Sequence, residues 1–172
     1  MKKLTLPLNK SDVKELRAGD SVLISGTILT ARDCAHKKIF ELLNSNKQLP
    51  FEIKDAVIYY AGPCPAKPSA ASGSCGPTTS ARMDSFAPRL LDLGLGAIIG
   101  KGEMSEDVRE AVKRNRAIYF AAIGGAGALY GKAIKKSDCI AFPELLSEAV
   151  YRLEVENFPA IVAYDCSGES IY

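Results

Sequence analysis

Apolar and polar positions follow two alternating patterns along the chain. Short apolar stretches enriched in β-branched residues predict six strands, at residues 21–30, 56–60, 97–99, 117–123, 138–142 and 160–164. Segments with helical spacing lie between several of them, and this alternation predicts an α/β layered domain. The first strands are not separated by helices long enough to make every connection parallel, so we expect a mixed sheet. No repeat or linker divides residues 1–172, which predicts a single domain.

Two segments show the clearest helical periodicity. In ARDCAHKKIFELLNSN, residues 31–46, apolar side chains recur every three or four positions, and Thr30 or Asp33 can cap the start. In SEDVREAVKRNRA, residues 105–117, Ser105 is a suitable N-cap. Acidic residues fill the first turn of that segment and basic residues the last, as the helix dipole favours. Its basic residues are therefore predicted to form a solvated face.

A long irregular loop separates two of the predicted strands. Residues 61–77 hold four of the nine prolines and are rich in Gly, Ala and Ser, which excludes a helix or a strand. Long loops of this kind in compact domains are usually functional or disordered, and the prolines favour a stiff loop with a defined shape. The loop leads into GPTTSARMD, where Thr78 and Thr79 are followed by Arg82. One threonine can cap a following helix while the other hydroxyl points into a site.

Three cationic side chains are predicted to lie at strand ends or beside this loop. Arg32 and Lys101 each follow an apolar strand, and Arg82 lies near a predicted helix N-terminus, where backbone N–H groups favour an anion. Ligands of open α/β sheets gather outside the carboxyl ends of the strands. Each cation alone is more simply a surface residue, but the three together suit a small dianion, because guanidinium matches carboxylate geometry.

His36 is the only histidine and lies one helical turn after Arg32. A lone histidine among charged neighbours is more often a helix-surface residue. Beside Arg32 at a strand end, it becomes a candidate for acid–base chemistry or for orienting another group. Thr78 is a second candidate for moving a proton, provided that its surroundings stabilise the alkoxide.

Composition and charge exclude several classes of function. The chain is 47% hydrophobic and 24% charged, with a formal net charge of +2, and no basic run is interleaved with aromatic residues. We therefore expect no nucleic-acid partner. The N-terminal MKKLTLPLNK has too few apolar residues for a signal peptide, and no apolar stretch can span a bilayer. A cytoplasmic protein with no membrane partner is expected.

Neither the cysteines nor the glycine-rich segment predicts a cofactor site. The five cysteines include no CxxC pair, which argues against a zinc site or an iron–sulfur cluster held by this chain alone. Reduced thiols are expected, with Cys64 and Cys75 near enough along the loop to be neighbours in space. The glycines of GGAGALYG, residues 124–131, do not fit the dinucleotide-binding pattern, so a turn that lets a helix start close to the sheet explains them better.

Several ordered motifs resemble one known family along nearly the whole chain. They are SGTILTARDCAH, YYAGPCPAKP, GPTTSARMD, IGKG, GGAGALYG and FPAIVAYDCSGESIY. The chain resembles the β subunit, or C-terminal domain, of the class I iron–sulfur hydro-lyases, which comprise class I fumarate hydratase and L(+)-tartrate dehydratase. The resemblance implies a swivelling β/β/α fold and a role in fumarate hydration, with tartrate dehydration as the alternative.

The same resemblance implies a division of labour between two chains. A 4Fe–4S cluster is expected in a partner α subunit, with none bound by this chain alone, and the assembly is expected to be a higher hetero-oligomer. Arg32, Arg82, Lys101 and Thr79 are implied to bind the carboxylates of a small dicarboxylate substrate. Thr78 is implied to move the C–H proton, with His36 as the secondary candidate. A non-catalytic dicarboxylate-binding module is the alternative from a different functional class.

Overall fold

Seven strands form a twisted mixed sheet in the computed structural model, which describes residues 1–172. The strands are β1 (Lys2–Thr5), β2 (Ser21–Thr30), β3 (Val57–Tyr59), β4 (Ala97–Gly100), β5 (Ile118–Ala121), β6 (Ile134–Ala141) and β7 (Val150–Tyr164). The helices are α1 (Lys10–Glu15), α2 (Asp33–Asn44), α3 (Ala87–Asp92), α4 (Glu106–Asn115) and α5 (Gly127–Ala133), with 3-10 helices at Ser80–Met83 and Pro143–Glu148. None of these helices combines the length and apolar character needed to cross a membrane.

The sheet closes on itself through its longest strand. Strands β1 to β5 pair in parallel, in sequence order. Strand β7 runs antiparallel to β5, β6 and β2, so β2, β3, β4, β5 and β7 form a closed ring. Both parallel and antiparallel pairs occur, which confirms the predicted mixed sheet and α/β class.

The central strands are apolar on both faces because each face packs on a core. Ile58 and Ile98 belong to a cluster with the inner faces of α2, α3 and α4. Their neighbours Val57 and Ala97 belong to a second cluster with β2, β7 and α5. Alternate residues of a strand point to opposite faces, so continuous apolar runs are what two cores require.

Several element boundaries differ from the predicted ones. The segment 160–164 is only the end of β7, in whose earlier half intermediate and exposed residues separate the buried ones. The short edge strand β1, with Leu4 as its one buried residue, was not predicted. The capping prediction for α2 is wrong, because its N-cap is Arg32, without a side-chain capping bond. Thr30 Oγ1 instead accepts from Tyr151 N at 3.0 Å, an additional link between β2 and β7.

Helix α4 begins at the predicted residue, but the contact at its start was not predicted. Ser105 is its N-cap, as expected, but the Ser105 side chain makes no capping bond. The backbone N–H of Ser105 donates to Asp84 Oδ2 at 3.0 Å, so a carboxylate from another segment lies at the helix start.

One buried hydroxyl fixes the segment between β4 and α4. The N–H of Met104 donates to Tyr164 Oη at 2.9 Å, and the same hydroxyl donates to the Met104 carbonyl at 2.7 Å. Both side chains are almost fully buried, so water cannot easily replace these bonds. The phenol thereby fixes the backbone that follows Lys101.

Tyr164→Phe is expected to lower the free energy of unfolding by about 1–3 kcal/mol, because it leaves the N–H and C=O of Met104 buried without partners. Urea unfolding monitored by circular dichroism measures the change. Tyr151→Phe is the matched control, since that hydroxyl donates to Leu146 O in an exposed setting where water can replace it. Equal losses in the two variants would contradict the role assigned to Tyr164.

Candidate functional site

The carboxyl ends of three adjacent parallel strands lie side by side at one end of the sheet, which is called the candidate edge below. Arg32 follows β2, Tyr60 follows β3 and Lys101 follows β4. The predicted placement of Arg32 and Lys101 at strand ends is therefore confirmed. This edge is the place where α/β sheets usually bind ligands.

The long loop leaves the sheet and returns to it at the end of β3. Cys64 N donates to Ser74 O at 2.9 Å and Gly73 N donates to Cys64 O at 3.1 Å, which holds the two halves of the loop together. Thr78 N donates to the Tyr60 carbonyl at 2.8 Å. The loop is thus an ordered excursion, and it delivers Thr78 directly to the strand end.

The glycine-rich segment packs against this loop. A Cβ added to Gly127 would collide with Ser74 Oγ, and one added to Gly131 would collide with the Gly73 carbonyl. Cys75 N donates to the Gly127 carbonyl at 3.0 Å. These contacts account for glycine in GGAGALYG without a nucleotide, although the close packing is against the loop rather than the sheet as predicted.

Arg82 reaches across to the first turn of α2. Its Nε donates to Asp33 Oδ1 at 3.0 Å, and its Nη2 lies 2.9 Å from Asp33 Oδ2 without the alignment of a hydrogen bond. Its Nη1 donates to Thr78 Oγ1 over a long 3.4 Å. The Arg82 side chain is half exposed. Asp33 therefore occupies one side of the guanidinium and leaves the other side beside the Thr78 hydroxyl.

Arg32 is held less tightly and lies under the start of the loop. Its Nε is 3.5 Å from Glu148 Oε1, too far and too poorly aligned for a hydrogen bond, and this nitrogen is buried without a partner. Glu148 Oε2 accepts from Cys34 N at 3.2 Å. A Cβ built on Gly62 would collide with the Ser147 carbonyl and lie 3.2 Å from Arg32 Nη1, so glycine allows the loop to pass between them.

Ser80 joins the TTSARM segment to the end of β4. Ser80 Oγ accepts from Lys101 N at 2.8 Å, and Ser80 N donates to the Lys101 carbonyl at 2.9 Å. The single proton of the Tyr119 hydroxyl is donated to the Gly102 carbonyl at 2.6 Å, so Ser80 Oγ donates to Tyr119 Oη at 2.9 Å. Ser80 is fully buried, and a Cβ on Gly100 would collide with its hydroxyl. The absence of a side chain at Gly100 permits this close approach.

The two adjacent threonines face different surroundings. Thr78 is half-buried, and its hydroxyl contacts Arg82. Thr79 is exposed and is the N-cap of the 3-10 helix, without a side-chain capping bond. Its backbone forms a parallel bridge with Lys101. The structure thus brings Thr78 and Arg82 into contact at this edge, and Thr79 and Ser80 connect them to the backbone of Lys101.

His36 lies in the core, so the expectation of a helix-surface histidine is wrong. Its Nδ1 is 2.8 Å from the Arg32 carbonyl, which can only accept, so Nδ1 carries the proton and Nε2 is left buried without a partner. The ring packs edge-on against Tyr60 at 5.3 Å between centroids and beside Phe86 at 5.4 Å. Burial lowers the pKa of His36 to about 4, against the opposing effects of the Arg32 carbonyl and Asp33.

Three cavities of the chain lie away from this edge. The cavities of about 420, 510 and 550 Å³ are lined by other residues, and none of them includes Arg32, Thr78, Arg82 or Lys101. The cationic groups lie on an open surface instead. Cations grouped around a hydroxyl on an open face can bind a carboxylate and stabilise a negatively charged oxygen.

The sequence model of the family described as Fumarase C-terminus matches residues 2–172. The chain belongs to the fumarase C-terminus family. A protein of Methanocaldococcus jannaschii with the provisional name L(+)-tartrate dehydratase subunit beta is 45% identical over 171 residues, covering 96% of this chain and 88% of that protein. Fumarate hydratase 2 of Leishmania major is 40% identical over 173 residues, covering 98% of this chain and 30% of that protein.

The anaerobic class I fumarate hydratase of Escherichia coli K12 is 42% identical over 151 residues, covering 87% of this chain and 28% of that enzyme. The chain therefore spans most of the M. jannaschii subunit but less than a third of these fumarate hydratases. This member of the fumarase C-terminus family corresponds to one part of the longer enzymes.

This fumarase C-terminus domain has no ligand set for a metal. No three His, Cys, Asp or Glu side chains are grouped so that they could hold an ion, and all five cysteines are free. Cys64 is exposed and Cys75 is buried, and burial raises the pKa of the Cys75 thiol to about 12. The residues present do not fit an iron–sulfur cluster.

Three residues of the fumarase C-terminus site were missed from sequence. Asp33 was assigned to capping, whereas its carboxylate holds Arg82. Glu148 lies beside Arg32 although more than a hundred positions separate them, and nothing local signals that contact. Ser80 stood between two better candidates and was given no part, although it carries the hydrogen bonds that join the segment to β4.

The fold of this fumarase C-terminus domain is expected to lose about 2 kcal/mol of stability between pH 7 and pH 5 through His36 alone. The folded pKa of about 4 lies below the unfolded value near 6.5, so the unfolded chain takes up the proton first and stability falls as pH falls through that window. Urea unfolding at the two pH values measures it. His36→Phe removes the titrating group and should flatten this part of the profile, and an unchanged slope in that variant would contradict the assignment.

Proposed function

We propose that this chain is the β subunit of an iron–sulfur hydro-lyase that reversibly hydrates fumarate to malate. The observation that carries the proposal is the match of residues 2–172 to the fumarase C-terminus family, combined with the contact of Arg82 with Thr78 and the backbone bridge of Thr79 with Lys101 at one strand end. Water addition to a dicarboxylate requires groups that bind two carboxylates and a group that moves a C–H proton.

The substrate's carboxylates would be bound by Arg32, Arg82 and Lys101, with Thr79 as a further contact. Asp33 supports this role for Arg82 because it fixes the guanidinium by one edge and leaves Nη1 available. Glu148 would orient Arg32 in the same way, since its carboxylate lies beside Arg32 and accepts a hydrogen bond from Cys34 N in the first turn of α2. Orientation by a fixed partner reduces the entropy lost when substrate binds.

Thr78 would act at the C–H bond. A hydroxyl is a weak base unless its alkoxide is stabilised, and the guanidinium of Arg82 lies 3.4 Å from Thr78 Oγ1. His36 would be a positioning residue, because its Nδ1–H holds the Arg32 carbonyl while its ring is buried. This assignment uses the histidine in its neutral form, which its low pKa favours.

A partner α subunit would complete the site. One relative is named as a beta subunit, and the related fumarate hydratases extend well beyond the matched part. A cluster held by that partner would supply a Lewis acid for the departing hydroxyl.

Two exposed apolar side chains lie near the candidate edge. Ile123 follows β5 and Leu146 precedes β7, and they are 62% and 74% exposed. Apolar side chains exposed there suit a surface that another subunit covers.

L(+)-tartrate dehydration is the second candidate. The M. jannaschii relative with that provisional name matches over 88% of its own length, in contrast to the fumarate hydratases. Both substrates present two carboxylates on a four-carbon chain, so the same cations serve either.

Co-expression with a cluster-bearing α subunit of the same enzyme family, under anaerobic conditions, tests the proposal. The assembled protein should hydrate fumarate, and L(+)-tartrate assayed in parallel distinguishes the second candidate. The 172-residue chain alone should be inactive and without visible absorption after anaerobic reconstitution with iron and sulfide. A stoichiometric cluster in the isolated chain would refute the division of labour, and an assembled complex inactive on both substrates would support the binding module instead.

Arg82→Lys is expected to raise the Michaelis constant of the assembled enzyme at least about tenfold, because lysine keeps the charge but loses the planar fork and its paired hydrogen bonds. Asp33→Asn should raise it by a smaller factor, since Arg82 remains but loses its charged anchor. Steady-state kinetics and thermal melting are measured together. A sharp drop in melting temperature with normal kinetics would show that the Asp33–Arg82 pair is only structural.

Thr78→Val is expected to reduce turnover about 10²–10⁴-fold with little change in substrate affinity, because it removes the hydroxyl and keeps the side-chain shape. Thr79→Val is the matched control one position away and should leave turnover near normal. NMR exchange of the substrate C–H hydrogen with solvent separates proton transfer from water loss. Exchange at the wild-type rate in Thr78→Val would exclude Thr78 as the base.

A further inference from the structure

A cavity of about 510 Å³ opens at the other end of the sheet from the candidate site. It lies where β3, β4 and β5 begin, beside Val57, Gly96 and Ala117, and α1 forms another wall. Its buried apolar surface comes from Val57, Leu91, Leu95 and Ala117. This volume lies within the range of small-molecule sites in proteins.

Positive charge is concentrated around this cavity. Lys10, Lys14, Lys54 and Arg116 line it, and Asp55 is the one acidic residue among the lining side chains. Four cations against one carboxylate leave a local excess of three positive charges, larger than the net +2 of the whole chain. A concave surface lined by one sign of charge focuses the electrostatic potential and attracts the opposite ion.

The charges of these four side chains are not neutralised within the chain. None of their nitrogen atoms lies within 4.0 Å of a carboxylate oxygen. The nearby carboxylate of Asp92 is bound by Arg114 at 2.7 Å and by Asn115 at 2.6 Å instead. Like charges that face one cavity without partners repel one another, and a bound anion would relieve that repulsion.

The backbone around the cavity is held in a defined shape. Asp55 N donates to the Gly94 carbonyl at 2.9 Å, and Gly96 N donates to the Ala56 carbonyl at 2.9 Å. The stem of Lys54 lies over Gly94, where a Cβ would be 3.5 Å from Lys54 Cγ. Arg116 ends α4 in the left-handed conformation, with φ of 50°, and this turns the chain at the rim. The Lys54 stem and the Arg116 backbone are therefore fixed relative to the buried apolar residues that line the cavity.

We propose that this cavity binds a small organic anion in which a phosphate or carboxylate group is joined to an apolar chain. The anionic group would be bound by Lys54, Arg116 and the two lysines of α1, and the apolar chain would lie on the leucines. The site is separate from the edge that carries Arg82, so the proposal does not depend on the proposed hydro-lyase activity.

Two-dimensional ¹H–¹⁵N NMR of the 172-residue chain tests this site directly. Hexyl phosphate and hexanoate are the probes, and they distinguish the two anionic groups. At least one should saturably shift the amide signals of Gly94, Gly96 and Ala117. Hexan-1-ol lacks the charge, and acetate and inorganic phosphate lack the chain, so each should bind at least about tenfold more weakly.

Paired substitutions connect the binding to the named cations. Lys54→Gln combined with Arg116→Gln should weaken binding of the effective probe about tenfold or more. Lys47→Gln combined with Lys67→Gln removes the same charge from exposed lysines outside the cavity and should leave the affinity unchanged. The proposal is refuted by shifts that spread over the surface, by equal weakening in both double variants, by hexan-1-ol binding as well as the charged probes, or by no saturable shift with either.

Discussion

The buried hydroxyl of Ser80 is the contact on which the candidate site depends. It accepts a hydrogen bond from Lys101 N and donates one to the Tyr119 hydroxyl, while Ser80 N donates to the Lys101 carbonyl. These bonds join a segment that follows a long loop to the end of a central strand, and they require glycine at position 100. Thr78 and Arg82 lie within two residues of this anchor. The sheet therefore helps to fix their positions, together with the ordered loop and Asp33.

The two arginines of the site each lie beside an acid of the same chain. Asp33 binds Arg82, and Glu148 lies beside Arg32 while accepting from Cys34 N. Such internal pairing limits the motion of long side chains and keeps a surface of like charges from repelling itself. An incoming carboxylate then meets oriented guanidinium groups, but it shares each of them with an internal acid. The acids thus affect both the geometry and the strength of anion binding.

The sequence predicted the strand ends better than the contacts made there. Apolar runs located β3, β4 and β5 because buried strands must be apolar on both faces, and this placed Lys101 correctly. Contacts between distant segments, such as Glu148 with Arg32, have no local pattern and were not predictable. His36 was misjudged although a signal existed. It lies three and four positions before Ile39 and Phe40, so helical spacing puts it on the apolar face.

Closure of the five-strand ring determines which strands of this chain could pair with a strand of another molecule. The strands of the ring are paired on both sides, so only the outer strands β1 and β6 leave backbone N–H and C=O groups unpaired. Open edges recruit strands from other molecules and promote aggregation. Exposed lysines lie on both of these strands, Lys2 and Lys3 on β1 and Lys135 and Lys136 on β6. Stacking a second copy edge to edge would crowd these lysines and the acids paired with Lys2, Lys135 and Lys136, so the two open edges carry their own protection against fibre-like association.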